Sequence, residues 1–172
     1  MSETLTTPVA AQALLGRHAR AVDHIAIAVH DLEAAIKLYS ETFGYQLFER
    51  RRTEGKASAM ISAVMKAGPI TIVLLQGTSE ESQVSRYVKH YGPGVQHIAI
   101  EVDDLQATTD ELTAAGVQFD TNIISSPGLR QIFTHRDENS GMMYEFIQRM
   151  GGDFSDESVQ NLFEQLEAKN NF

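Results

Sequence analysis

From Val22 the chain alternates: Ile25, Ile27 and Val29 interleave with His24, Ala26 and Ala28, a period-two pattern that predicts a strand with two different faces. Asp31 then caps a predicted helix whose Leu32, Ala35, Ile36 and Tyr39 form one stripe and which ends at Gly44. Three strand-like runs follow: "QLFERRR", "ASAMISAV" and, after the Gly68-Pro69 turn, "ITIVLLQ". This β-α-β-β-β order recurs. "VQHIAIEV" predicts a strand and "DDLQATTDELTAAG" a helix with Leu105 and Leu112 inward; "VQFDT", "RQIFTHR" and "MMYEFIQ" predict three more strands. Both units contain H-I-A-I-x-V-x-D-L, and His97 stands 73 residues after His24.

Residues 79–94 join the units and predict a connecting helix with Val84, Tyr87, Val88 and Tyr91 on one side. The segment 151–172 predicts a second such helix, capped by Ser155 and striped by Val159, Leu162, Phe163 and Leu166. Residues 1–21 carry no firm period and read as a flexible tail or loosely attached helix. The expected class is α+β. Two tandem βαβββ modules, 22–78 and 95–150, pack with pseudo-twofold symmetry into one open, cup-shaped mixed sheet, with the C-terminal helix over or beside the cup.

Composition narrows the partners. With 172 residues, 42% of them hydrophobic, the chain can bury its own core. A formal charge of −9 argues against nucleic acid, whose phosphates need a basic face. The dense basic run "ERRRTEGK" reads as a solvated strand edge; the other reading of Arg50 to Arg52 is an arginine that meets a substrate carboxylate. No apolar run approaches the roughly 18–20 residues of a membrane span, and the N-terminus lacks a signal-peptide pattern, so no membrane partner and a cytoplasmic site are expected. There is no cysteine to form a disulfide, attack a substrate or bind a metal.

The candidate chemistry lies on the repeated strands. One face of each first strand carries a histidine beside small residues: His24, Ala26 and Ala28, then His97, Ala99 and Glu101. In a pseudo-symmetric cup both imidazoles look inward. On the closing strand "MMYEFIQ", Glu145 shares a face with Met143 and Ile147, and an unpaired carboxylate there would cost several kcal/mol to bury. The equivalent strand of the first unit offers only Ile72, Val73, Leu74 and Leu75. Two imidazoles and one carboxylate leave up to three positions open on an octahedral ion, the arrangement of non-haem Fe(II) oxygenases, whereas a fourth protein ligand would suit isomerase or lyase chemistry. His18, His30, His90 and His135 read as surface residues.

These residues carry a likeness. "DHIAIAV", "DLEAAIKLYSETFGY" and "QHIAIEVDDL" resemble the vicinal oxygen chelate superfamily of glyoxalases, bleomycin resistance proteins and dioxygenases. "YGPGVQHIAIEVDDL", "RQIFT", "YEFIQRMGGDF" and "NLFEQLE" resemble, in that order, the catalytic C-terminal half of the 4-hydroxyphenylpyruvate dioxygenases and hydroxymandelate synthases. The resemblance implies that His24, His97 and Glu145 hold Fe(II), and that Gln96, Gln131, Phe133, Met143 and Phe163 contact substrate. It also implies that cups pair, with the Tyr87 and Tyr91 face as the surface a homodimer would bury. The chain departs from the pattern at Ala57, Leu75, Ser82 and Val159, where the family has polar or aromatic pocket residues, so a different substrate is expected. The implied activity is oxidation of a small aromatic or 2-oxo acid by O2. The alternatives are extradiol catechol cleavage, metal-dependent epimerase or lyase chemistry in the same fold, and metal-free sequestration of a planar ligand.

Overall fold

In the computed structural model, described over residues 14–169, one eight-stranded sheet runs through the chain. Helix α1 (Leu14–His18) leads into β1 (Ala19–Ala28). There follow α2 (Leu32–Lys37), prolonged by a π-helical turn over Leu38–Thr42, then β2 (Gln46–Glu54), β3 (Ala59–Ala67) and β4 (Ile70–Gly77). After the connecting helix α3 (Gln83–Tyr91) come β5 (Gly94–Val102), α4 (Leu105–Ala114), β6 (Ile124–Ser126), β7 (Leu129–Phe133), β8 (Met143–Arg149) and α5 (Asp156–Ala168). The strand order is β2-β3-β4-β1-β5-β8-β7-β6, so the two βαβββ halves meet along β1 and β5. These central strands are antiparallel, and the pseudo-twofold passes through the repeat-equivalent pair Ile25 and Ile98. Each half pairs its first and last strands in parallel, β1 with β4 and β5 with β8. The chain forms the α+β cup that its periodicity predicts.

The repeat is executed by matching local chemistry. Asp31 and Asp104 each cap the following helix, accepting from the N–H of Ala34 and Ala107 at 3.0 Å. On the convex side, Ile25 and Ile27 pack with Leu32, Ile36, Met65 and Leu74 under α2. Under α4, Ile100 and Val102 pack with Leu105, Ile132 and Phe146. Complete burial of side chains such as Leu74 and Leu105 contributes roughly 1.5–3 kcal/mol apiece. The alternate residues of the same strands are left to form the cup.

Helix α5 contacts both edge strands, β2 and β6, and so straps the mouth of the cup. Near its end, the Glu167 carboxylate accepts from the backbone N–H of Lys56 at 3.0 Å and of Ala57 at 3.3 Å, and from the Ser58 hydroxyl. Gln165 accepts from the Asn122 N–H at 2.9 Å on the other side. Gly55 permits this approach, since a Cβ there would lie 2.7 Å from the Phe163 ring.

Three details differ from the sequence-based expectation. β1 starts at Ala19 rather than Val22: Ala19 pairs with Val102, His18 accepts from the Asp103 N–H at 3.0 Å, and Leu15 packs on the α4 core. The remainder of the expected tail, residues 1–13, and the last three residues of the expected helical segment, 170–172, lie outside the described residues. "VQFDT" forms only a bridge from Phe119 to Thr134; the edge strand is instead Ile124–Ser126, folded onto β7 by the Pro127-Gly128 turn with Gly128 at φ 75°. Tyr87 is buried within the chain, its hydroxyl donating to the Val95 carbonyl at 2.8 Å, so its burial requires no second copy. No described helix is long and apolar enough to cross a membrane.

Phe163, 1% exposed, anchors the strap. Phe163→Ala is expected to lower the unfolding free energy by about 3–5 kcal/mol, read as a lower urea midpoint at unchanged slope.

Candidate metal centre

His24 on β1, His97 on β5 and Glu145 on β8 come from three neighbouring strands, and their donor atoms converge. The two imidazole Nε2 atoms stand 3.3 Å apart, and Glu145 Oε2 lies 3.2 Å from His24 Nε2 and 3.5 Å from His97 Nε2. With bonds of about 2.1 Å, ligands at octahedral to tetrahedral angles are separated by about 3.0–3.4 Å. The triangle therefore has the dimensions of one face of a coordination sphere. All three side chains are buried, and Glu145 is 1% exposed with Oε1 lacking a hydrogen-bond partner.

The outer nitrogen of each ring is held by the residue just before it. His24 Nδ1 donates to Asp23 Oδ1 at 2.8 Å, and His97 Nδ1 donates to Gln96 Oε1. With both rings neutral, the two Nε2 atoms therefore present lone pairs to each other and to the carboxylate. Neighbouring residues on a regular strand face opposite sides, so this arrangement needs a device. The register of β1 against β5 slips between Val22 and His24, and again where Ala26 faces His97 and Ile27 faces Val95. Asp23 and Gln96 are thus the extra residues of two repeat-equivalent bulges, which turn each side chain toward its own histidine. Arg149 completes the first pair, bridging both Asp23 oxygens through Nε at 2.5 Å and Nη2 at 3.0 Å. It ties a residue four positions beyond Glu145 to the residue that orients His24.

The electrostatics make the triangle a cation trap. Burial pushes the His24 imidazole toward neutrality, but the Glu145 and Asp23 carboxylates outweigh it and lift the pKa to about 9. His97 is held well below its usual value by burial and then by the positive charges of His24 and Arg136. Burial opposes ionisation of Asp23, yet hydrogen bonds and charge from His24 and Arg149 hold it far below the usual carboxylate range. Without a metal, one proton on His24 relieves the acceptor repulsion; a divalent ion must displace it.

The triangle opens into a cavity of about 350 Å³. Gln131 and Phe133, both expected at a substrate, line it: the Phe133 ring meets His97 edge-on at 5.1 Å, and Gln131 is fully buried with neither amide atom partnered. Gln96 is occupied by His97, while Met143 and Phe163 are core residues that do not reach the cavity wall. Of the basic run, Arg50 pairs with Glu33 and Arg52 with Glu54, whereas Arg51 turns into the cup. Among the other histidines, His30, His90 and His135 are exposed and His18 is half-buried against Glu111. Pattern reading missed Asp23, Arg149 and Phe154, whose ring stands edge-on to His24 at 5.8 Å. A signal did exist for Asp23: the acceptor-histidine pairs D-H and Q-H fall at the same place in the two repeats.

A duplicated βαβββ cup with converging histidines and one carboxylate defines the class. Residues 23–127 match the Glyoxalase/Bleomycin resistance protein/Dioxygenase superfamily, and the chain belongs to it. It is 31% identical to a 4-hydroxyphenylpyruvate dioxygenase of Pseudomonas aeruginosa, over 66% of this chain but 42% of that protein. It is 30% identical to an ethylmalonyl-CoA/methylmalonyl-CoA epimerase of Cereibacter sphaeroides, over 74% of this chain and 96% of that one. Among solved structures, a 4-hydroxymandelate synthase variant from Streptomyces coelicolor aligns with TM-score 0.79 at 23% identity, covering 89% of this chain and 55% of that chain. The fold is shared at that level. The chain spans less than half the length of the curated dioxygenases it matches.

Two measurements probe the centre. Because His24 must lose its proton, affinity for Fe(II) or Co(II) is expected to rise about tenfold per pH unit from pH 6 to 8 and to level above the His24 pKa of about 9; competition titrations at each pH read the slope, with one proton released per ion. Asp23→Asn removes the charge behind His24 and should weaken metal binding about 10- to 100-fold in the same titration.

Proposed function

We propose that His24, His97 and Glu145 hold Fe(II) and that the protein is an O2-dependent dioxygenase of a small aromatic or 2-oxo acid. The observation that carries this reading is a valine. Ala26 and Ala99 are repeat equivalents; Ala99 pairs with Glu145 on β8, and Ala26 pairs with Val73 on β4. Where the second half contributes a carboxylate, the first contributes an isopropyl group, and the three-ligand set leaves the cup side of the ion open to exogenous ligands.

Iron(II) held there supplies electrons to O2 and open positions at which a carboxylate and an adjacent keto oxygen can chelate. The residues around it do the rest. Phe133, Phe154, Val73 and Leu75 make a wall that keeps bulk water from the reacting atoms. Among the described residues of that wall, Gln131 offers a buried amide with free donor and acceptor atoms, a partner for a polar substituent of the substrate. Asp23 and Gln96 fix both imidazoles, and Arg149 fixes Asp23.

The epimerase likeness supports a second reading, since this chain covers nearly the whole of that relative. Epimerisation moves a proton to and from carbon and needs a general base over the metal. The cup faces of β3 and β4 supply Met60, Ser62, Val64 and Lys66, and Thr71, Val73 and Leu75; Lys66, the titratable group among them, stands two strands away from His24 rather than beside the triangle. This favours the oxygenase.

Anaerobically iron-loaded protein should consume O2 with phenylpyruvate or a related 2-oxo acid and release one CO2 per O2. Glu145→Ala should abolish that uptake. Turnover retained in this variant, or epimerisation of an acyl-CoA without O2, would refute the assignment.

A further inference from the structure

The wall of the cup opposite the metal ligands carries a cation without a counter-charge. Lys66 on β3 lines the same cavity as His24 and is half-buried. Its ammonium rests over the Phe48 ring, 3.6 Å from the centroid, and no carboxylate of the described residues pairs with it. The neighbouring charges are otherwise engaged. Glu49 is bound by Arg51 at 2.5 Å, and Arg51 is further held by Asp156 at 3.0 Å and the Phe154 carbonyl at 3.2 Å. Arg51 thus serves the strap, leaving Lys66 as the ammonium open to a ligand.

Register places Lys66 relative to the metal centre. Lys66 pairs with Thr71 across β3 and β4, and Thr71 precedes Ile72, which pairs with Ile25 on β1. His24, Thr71 and Lys66 therefore fall on one row across the sheet, all three facing the cavity. Two strand spacings separate the ends of that row, about 10 Å between Cα positions. A ligand lying along it passes the Thr71 hydroxyl before it reaches the ammonium.

We infer that Lys66, with Thr71, forms an anion subsite for the far end of the substrate, which is accordingly a 2-oxo acid bearing a second carboxylate on a short, flat scaffold. The inference rests on the chelating role proposed for the metal centre: one acid group is taken up there, so an anion at Lys66 has to be a second one. Phe48, 64% exposed and capped by the same ammonium, gives the scaffold an aromatic face to lie on. A lone ammonium in the wall of a cavity this small is only partly hydrated, and a carboxylate entering it exchanges water for a charge-assisted hydrogen bond.

The test compares 4-carboxyphenylpyruvate with phenylpyruvate by anaerobic calorimetry on the iron-loaded protein. The dicarboxylate is expected to bind at least tenfold more tightly. Lys66→Met, which keeps the stem over Phe48, should erase the difference, Lys66→Arg should restore it, and Lys66→Glu should invert it. Equal affinity of the two probes, or a preference that survives Lys66→Met, overturns the subsite while leaving the oxygenase reading intact. If the dicarboxylate binds in a Lys66-dependent way equally well without metal, the subsite stands and the chelate reading falls. If neither probe binds, both fall.

Discussion

Three lone pairs aimed at one another from buried side chains are the constraint on which the rest of this fold turns. The Nε2 atoms of His24 and His97 and Oε2 of Glu145 lie 3.2–3.5 Å apart, with no donor between them while both rings are neutral. Such a cluster is repulsive in a low-dielectric interior unless a proton on His24 or a bound cation sits in it. Much of the surrounding structure keeps the cluster from relaxing. The β1–β5 pairing sets the distance between the imidazoles, the parallel register of β8 on β5 sets the height of the carboxylate, and the Arg149–Asp23 ion pair links the two halves across the seam. A side chain free to turn away would dissipate the repulsion; here the two imidazoles are held by Asp23 and Gln96.

Duplication explains how so exact a convergence arises from ordinary strands. A twofold through Ile25 and Ile98 brings equivalent histidines to opposite sides of the axis, facing one point. The bulges at Asp23 and Gln96 obey the same symmetry and give each ring an acceptor for its outer nitrogen. The symmetry is then broken at two places with chemical consequences. The bond to His24 comes from a carboxylate and that to His97 from an amide, so the two imidazoles differ in basicity. Glu145 has Val73 as its counterpart, so one half of the cup supplies ligand density and the other supplies wall. The proposed oxygenase, which would admit both O2 and a substrate to one ion, needs such one-sidedness.

Much of this was legible because it is written in periods. Alternation marked β1 and β5, the i, i+3, i+4 stripe marked α5, and the shared H-I-A-I-x-V-x-D-L marked the duplication; with those in place, an inward carboxylate on the last strand had one sensible use. What escaped was what alternation forbids. Asp23 lies where a regular strand would turn it from the site, and only the bulge there brings its carboxylate round to the histidine; Arg149 shares the face of Glu145, but its bond to Asp23 crosses the seam between the halves, on which strand periodicity is silent. Likewise the edge strand Ile124–Ser126 depends on the Pro127-Gly128 turn rather than on hydrophobic spacing, so the more apolar "VQFDT" drew the strand assignment away from it. The Gln96 carbonyl is equally a matter of local geometry. Adjacency in sequence placed it near the converging imidazoles, but not whether it faces the cavity or the ring beside it.

The unpaired polar atoms of the cup point the same way as its ligands. Each buried polar group without a partner costs about 1–3 kcal/mol, and Gln131 holds two such atoms while Glu145 holds one, on adjacent strands of the second half. A fold stabilised by a few kcal/mol overall retains groups like these where a ligand completes their bonds. Across the cavity, the first half contributes Thr71 and Lys66 on the row of His24. A molecule that satisfied all of them would lie between the halves, one end at the His24, His97 and Glu145 triangle and the other on the far wall. The helix that straps β2 to β6 lines the same cavity with Val159 and Leu162, so the separation of the halves, fixed by the β1–β5 seam, sets the length of what the cup can hold.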